Sequence, residues 1–264
     1  MLESNDVALY VFESGSASAP TVVFLHGGGA SGWMWQPVVD QLPDYHCLVP
    51  DLPEHGQSTA EKPFSINDAA GRVADLIRTR AHGGKAHLAG LSLGAQVIVQ
   101  MLSASPELID HAIVSGALVR PLPGVGLVNT TAKLYMPFRN IGFMIRANMK
   151  SFGVPDKYFA EFAADTRRMT ADSFAHFTTE NMTFRIPPGL EHVTAPVLIV
   201  VGQHELKVMH DSARDLLKAI PNALGRIAAH LGHNWVLETP DLFGRVVRAW
   251  INDQPLPSEM RPLS

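Results

Sequence analysis

Lys85-Ala86-His87-Leu88-Ala89-Gly90-Leu91-Ser92-Leu93-Gly94-Ala95-Gln96-Val97-Ile98-Val99-Gln100-Met101-Leu102 decides how this chain is read. Residues 85–89 read as a short strand and residues 95–102 as an amphipathic helix, with Gly90-Leu91-Ser92-Leu93-Gly94 on the turn between them. A serine at such a turn, with glycine two positions away on each side, is a nucleophile elbow. The serine must take a strained backbone conformation so that its hydroxyl stands clear of the sheet. A side chain two residues before or after it would meet the neighbouring strand or helix. The helix that starts under the serine has free N–H groups, which favour negative charge where an oxyanion would form.

The surrounding segments agree with the elbow. The apolar strand Thr21-Val22-Val23-Phe24-Leu25 runs into His26-Gly27-Gly28-Gly29, and Gly202-Gln203-His204-Glu205 and Gly232-His233-Asn234 follow much later. Short apolar strands alternate with helical patterns, which predicts a mostly parallel sheet covered on both faces. Strands are expected at 7–12, 21–25, 46–50, 111–115, 196–201 and 224–228. Helices are expected at 33–42, after the N-cap Ser65, at 209–220, and from Thr239-Pro240 onward. The tail Pro255–Ser264, with three prolines, is expected to be loosely held.

On these motifs the chain resembles the α/β-hydrolases of the serine esterase-like group, from about Val7 to Trp250. His26-Gly27-Gly28-Gly29 matches the oxyanion loop of that family, and Asp51-Leu52-Pro53-Glu54-His55-Gly56-Gln57-Ser58 resembles the turn after its next strand, with Glu54 where glycine is usual. The resemblance implies an α/β-hydrolase core made of residues 1–117 and 192–264, and a helical cap inserted at 118–191. It also implies a catalytic set in the chain order Ser, acid, His.

Ser92 is the candidate nucleophile, because a serine hydroxyl needs a base within hydrogen-bond reach and the motif supplies one. His233 is that base. Glu205 is the candidate acid that orients it; most relatives carry aspartate there, so the extra methylene is a departure. The loop Gly116-Ala117-Leu118-Val119-Arg120, where some relatives place the acid, contains no carboxylate. The oxyanion hole is expected from the N–H groups of Gly28 and Leu93, with Gly29 as second choice. His26 reads as structural. Trp33 and Met34, close behind the oxyanion loop, and Phe138 and Met144 from the cap are candidates for the substrate pocket, against the alternative of ordinary core packing.

Composition narrows the class. The chain has 264 residues, 46% hydrophobic and 17% charged, a formal charge of −4 and one cysteine. That length suits one α/β domain with an insertion. The mild charge does not suggest a nucleic-acid partner, and a single cysteine cannot form an internal disulfide. Residues 1–6 lack the apolar core of a signal peptide and no apolar run is long enough to span a bilayer, so the expected location is cytoplasmic. No metal motif, Walker loop or dinucleotide fingerprint is present, and no cofactor is expected.

The expected activity is therefore cofactor-free hydrolysis of an ester or related acyl bond of a mainly apolar small molecule. Ser92 in place of an aspartate argues against epoxide or halide chemistry. A thioesterase, an acyltransferase or a carbon–carbon hydrolase would use the same residues, and a ligand-binding protein on this fold is the rival from another class. One pattern stands apart: between Asp110 and Asp156 there is no acidic residue, while Arg120, Lys133, Arg139, Arg146 and Lys150 fall in the same stretch. Either an uneven charge scatter on a solvated face, steering of an anionic substrate, or contact with a membrane surface would fit it.

Overall fold

The computed structural model describes residues 9–58 and 63–263. Eight strands form one sheet in the order β1-β3-β2-β4-β5-β6-β7-β8. They are β1 (Val11–Ser14), β2 (Thr21–Leu25), β3 (His46–Pro50), β4 (Ala86–Leu91), β5 (Ile109–Ser115), β6 (Val197–Gly202), β7 (Ala223–Ala228) and β8 (Met260–Pro262). The strands from β3 across to β7 run parallel, while β1 and β8 are antiparallel edges. In β2, β3 and β6 every residue is buried. Sheets covered on both faces produce such continuous apolar runs instead of alternation.

The helices are α1 (Gln36–Val39), α2 (Ile66–Arg80), α3 (Leu93–Ala104), α4 (Val125–Tyr135), α5 (Gly142–Ser151), α6 (Phe159–Arg168), α7 (Ala171–Thr183), α8 (Lys207–Ala219), α9 (Trp235–Glu238) and α10 (Pro240–Ile251). Each follows the local chemistry. Ser65 accepts from the Asp68 N–H at the start of α2, whose Ala69, Ala70, Val73, Leu76 and Ile77 form the buried stripe. Pro240 opens α10, which buries Leu242, Phe243, Val246 and Val247. Thr170 and Ser173 form a capping box at α7. All four of α4–α7 lie between β5 and β6, in the stretch expected to break the strand rhythm. No described helix is long and apolar enough to cross a membrane.

Three expectations are corrected. The helix expected over 33–42 is a 3-10 turn, Gly32–Trp35, followed by the single turn α1. Pro37 has no N–H to give the Trp33 carbonyl, so that carbonyl accepts from Gln36 in the tighter pattern. The tail is not loose: β8 pairs with β7, Ala228 opposite Met260, and Met260 is buried. Three residues are too few to show alternation, and Pro262 is tolerated because an edge strand needs no N–H on its outer side. The first strand begins at Val11, and the expectation for Val7 and Ala8, like the reading of residues 1–6, lies outside the described residues.

Glu54 takes φ 62°, the left-handed conformation that glycine adopts without penalty. Its carboxylate accepts from the Phe64 N–H (2.7 Å) and from His176 Nδ1 on α7 (2.9 Å), so the side chain joins the turn after β3 to the helices above it. Both Glu54→Ala and Glu54→Gly lose those anchors, but only alanine keeps the backbone penalty. Urea titration is expected to find Glu54→Ala the less stable of the two by about 1 kcal/mol. Equal stability would mean that the turn relaxes out of the left-handed region.

Candidate active site

The parallel strands all point one way, so the loops at their carboxyl ends gather at one edge of the sheet. His26–Gly29 follow β2, Ser92 follows β4, Gly116 follows β5, Glu205 follows β6 and His233 follows β7. Ser92 takes φ 54° and ψ −112°, between β4 and α3. The turn is fixed at both ends: the Ser92 N–H donates to Ser115 O (2.9 Å) and the Ser92 carbonyl accepts from Gln96 N–H (3.0 Å). The flanking glycines are sterically required. A Cβ on Gly90 would stand 2.7 Å from the Gly94 carbonyl carbon, and one on Gly94 would run into the Leu25 carbonyl.

His233 Nδ1–H donates to Glu205 Oε2 at 2.6 Å. The other carboxylate oxygen, Oε1, accepts from the Gly202 N–H at 2.8 Å. The Glu205 side chain is 2% exposed and the His233 side chain 36%, so the carboxylate is enclosed and the imidazole faces the cavity. The extra methylene of glutamate therefore spans from a turn closed by Glu205 N–H to Gly202 O (3.1 Å) to the histidine ring. Gly116 was missed in the sequence. Its φ is +60°, and a Cβ there would stand 2.8 Å from His233 Cε1, so a bare backbone makes room for the ring. Its signal was visible only as the glycine that ends β5 without a carboxylate.

A Cβ added to Gly27 would stand 3.7 Å from Ser92 Cβ, and one added to Gly28 would stand 3.6 Å from a Leu93 methyl, so the glycine loop lies against the elbow. Among the described residues neither the Gly28 nor the Leu93 N–H has a hydrogen-bond partner. Leu93 opens α3, where the first N–H groups have no carbonyl within the helix.

His26 shapes that loop from behind. The Leu52 N–H donates to His26 Nε2 (2.9 Å), so Nε2 is unprotonated and Nδ1–H donates to Gly27 O (2.9 Å). Burial pushes its pKa down to about 4, and that of the neighbouring His55 down to about 3, with the ring centroids 5.1 Å apart. Cys47 is buried and its thiol is pushed up to about 12 by that burial, so it stays a neutral thiol. No group of three His, Cys, Asp or Glu able to hold a metal occurs among the described residues.

A cavity of about 140 Å³ joins these parts. Ser92, His233, Gly28, Trp33 and Met34 line it from the sheet side. Phe152, Val154, Phe162, Met169 and Phe174, with Asn148 and Thr166, line it from α5, α6, α7 and their connections. Phe138 and Met144 are not among its walls. Phe138 is 49% exposed on the turn after α4, and Met144 lies in the first turn of α5, while Asn148 and Phe152 of the same segment reach the cavity. The apolar contribution expected from those two is supplied instead by Phe152, Phe162, Met169 and Phe174.

Asp165 on α6 was also missed. It is buried, and its Oδ2 accepts from Ser31 Oγ (2.8 Å) and Trp33 Nε1 (2.7 Å), two residues of the stretch just after the glycine loop. Burial raises its pKa to about 6, against the lowering effect of those two donors. The carboxylate thus ties α6 to the loop and fixes the indole in the cavity wall.

These groups set an acid limit on the fold. His26 and His55 are neutral when folded and take up protons near pH 6.5 when unfolded. Between pH 6.5 and 4 the unfolded chain binds more protons, so stability falls as pH drops through that window. Asp165 acts oppositely, because its folded carboxyl takes up its proton near pH 6, above the range of an ordinary aspartate. His87 is likewise pushed down to about 4, by burial and by His111, so three histidines stand against one carboxyl and leave a net loss of several kcal/mol from pH 7 to pH 4, at about 1.4 kcal/mol per pKa unit. Urea unfolding at those pH values checks it; a flat profile would mean that the imidazoles are protonated in the fold.

Comparison with known proteins gives one answer. The family described as "Alpha/beta hydrolase family" matches residues 22–246. A protein of Gibberella zeae named "AB hydrolase superfamily protein" is 27% identical over 258 residues, covering 93% of this chain and 85% of its own length. A 2-hydroxy-6-oxononadienedioate/2-hydroxy-6-oxononatrienedioate hydrolase of Cupriavidus pinatubonensis is 26% identical over 251 residues, covering 88% and 86%. The crystal structure of the enol-lactonase from Burkholderia xenovorans LB400 superposes with a TM-score of 0.76 at 21% identity, covering 92% of this chain and 96% of that one.

Proposed function

From the premise that the chain belongs to the alpha/beta hydrolase family, we propose that it is a cofactor-free serine hydrolase that cleaves a small, neutral, mainly apolar ester through an acyl-enzyme. The observation that carries this reading is the 2.6 Å contact between Glu205 and His233 at a cavity that Ser92 also lines. A protein that only binds a ligand has no need of that arrangement.

Ser92 Oγ attacks the carbonyl carbon while His233 Nε2 takes its proton. Glu205, bonded to Nδ1–H, keeps the imidazole in the tautomer whose Nε2 is free and stabilises the imidazolium that forms. Negative charge on the carbonyl oxygen rests on the N–H groups of Gly28 and Leu93, each worth on the order of 3 kcal/mol in the transition state. His233 then returns the proton to the leaving alcohol, and in the second half it activates the water that releases the acid. Helices α4–α7 act as the cap that closes the cavity over the elbow.

The lining supports the substrate class. Among the described residues that line the cavity, His233 is the only titratable one, and no Lys or Arg is present to receive a carboxylate. A dioate such as the Cupriavidus relative is named for would leave its charges unpaired there. Hydrolysis of a p-nitrophenyl ester series from acetate to decanoate tests this, with a monosuccinyl ester as the charged comparison. Short neutral chains are expected to turn over fastest. Preference for the succinyl ester would overturn the assignment of substrate class, and inactivity of the folded protein on the whole series would overturn the ester reading.

A further inference from the structure

The segment from α4 to the end of α5 carries large apolar side chains on the outside. Leu127 and Leu134, seven residues apart on one stripe of α4, are 71% and 72% exposed, and Phe143 at the start of α5 is 78% exposed. Phe138 and Ile141 on the intervening turn are each about half exposed. α4 buries none of its residues, although it packs against α7. This is far more apolar surface than isolated exposed leucines produce.

The same segment is cationic. No Asp or Glu occurs between Asp110 and Asp156. Arg120 is committed elsewhere, to Asp211 (3.0 Å) and Asp215 (2.6 Å) on α8. Lys133 and Lys150 are exposed and have no ion-pair partner among the described residues, and Arg139 bonds only to the carbonyls of Met136 and Arg167, which leaves its charge uncompensated. Arg146 stands over the Phe159 ring, with Asp156 at 3.9 Å.

We propose that the exposed apolar and cationic side chains of α4, α5 and the turn between them dock the protein peripherally on an anionic lipid surface. Leucine and phenylalanine side chains enter the headgroup boundary while lysine and arginine meet the anionic headgroups, the combination that holds an interfacial helix in place. Charge separates this occupant from a second copy of the chain. A two-fold contact would set the face against itself, lysine against lysine, with no carboxylate in the segment to offset the repulsion. The position is consequential as well. Phe152, at the end of α5, is 55% exposed and is also a wall of the cavity, so a docked face would bring the cavity close to the membrane.

The test is co-sedimentation of the full chain with vesicles of phosphatidylcholine alone or with 30% phosphatidylglycerol. Binding is expected to the anionic vesicles and to weaken as salt rises. Lys133→Ala with Lys150→Ala is expected to lower the vesicle affinity about 25-fold, about fivefold per charge. Leu127→Ser with Phe143→Ser is expected to lower it at least about tenfold. All four side chains are exposed and none lines the cavity, so turnover of a soluble ester and the unfolding midpoint are expected to stay unchanged in both variants. Equal partition of the wild type on both vesicle types, or none on either, overturns the proposal. So does a concentration-dependent dimer that the Leu127/Phe143 variant abolishes, since the face would then be a contact between copies. The sedimentation readout does not depend on the chemistry at Ser92, and failure of the ester assay leaves it intact.

Discussion

Ser92→Ala is expected to lower kcat on a short p-nitrophenyl ester by about 10⁴- to 10⁶-fold while leaving the fold and ester binding almost unchanged. The size of the loss follows from what the elbow is built for. The backbone at Ser92 is held at φ 54° by bonds to Ser115 and Gln96, with glycines required on both sides. That conformation costs on the order of 1–3 kcal/mol and is retained by alanine, so the variant removes the hydroxyl without relieving the strain. Its unfolding midpoint should therefore match the wild type. On the proposed mechanism, what remains after the substitution is the cavity and the two N–H donors, which would still polarise a bound carbonyl but would have no nucleophile beside them. A fluorophosphonate probe gives an independent readout: one covalent adduct by mass on the wild type and none on the variant. A variant that keeps more than a tenth of wild-type turnover would remove Ser92 from the mechanism.

How much of this was legible depends on whether the signal was local. The elbow, the glycine loop and the strand runs are local in signal: each is a short string readable with its flanking segments, although Ser115 and Leu25 complete the backbone demands of 90–94. The pairing of Glu205 with His233 was legible through chain order, which the topology turns into proximity by placing β6 and β7 side by side. The pocket walls were not. Trp33 and Met34 line the cavity because they come close behind the glycine loop, but Phe138 and Met144 have the same composition signal as Phe152 and Phe162, and only the packing of α5 and α6 decides which of them turns inward. Asp165 was invisible for the same reason. An aspartate at helical spacing reads as a solvated face until Ser31 and Trp33, more than 130 residues away, are brought onto it. Edge strand β8 failed on length, and Gly116 failed because its role is to be absent from the space that His233 fills.

The same carboxylate geometry sets the second large effect. Glu205 uses both oxygens, one for the Gly202 N–H and one for His233 Nδ1–H. Glu205→Gln cannot satisfy both donors. With its oxygen towards His233, its NH2 faces the Gly202 N–H, donor against donor. Turned over, its NH2 faces Nδ1 and forces the ring proton onto Nε2, where the base is needed. Either way the tautomer that serves Ser92 is disfavoured, and kcat is expected to fall about 10³- to 10⁴-fold with KM nearly constant. Glu205→Asp keeps the charge but shortens the reach by one methylene, so it can hold the Gly202 N–H or the histidine but not both. An intermediate loss of about 10²-fold is expected, the scale on which a displacement of roughly 1 Å acts. The order wild type, Asp, Gln in kcat is the discriminating result. If Gln retained wild-type kcat, the orienting acid would have to come from another element, and the loop after β5 that serves some relatives offers only Gly116 to Arg120, with no carboxylate among them. If Asp equalled the wild type, the turn 202–205 would have to follow the shorter side chain inward, a movement limited by the Glu205 N–H bond to Gly202 O and by the Gln203 N–H bond to Ala228 O. On the proposed mechanism glutamate is the length that this turn requires, and the acid's identity and the loop's backbone bonds are two sides of one constraint.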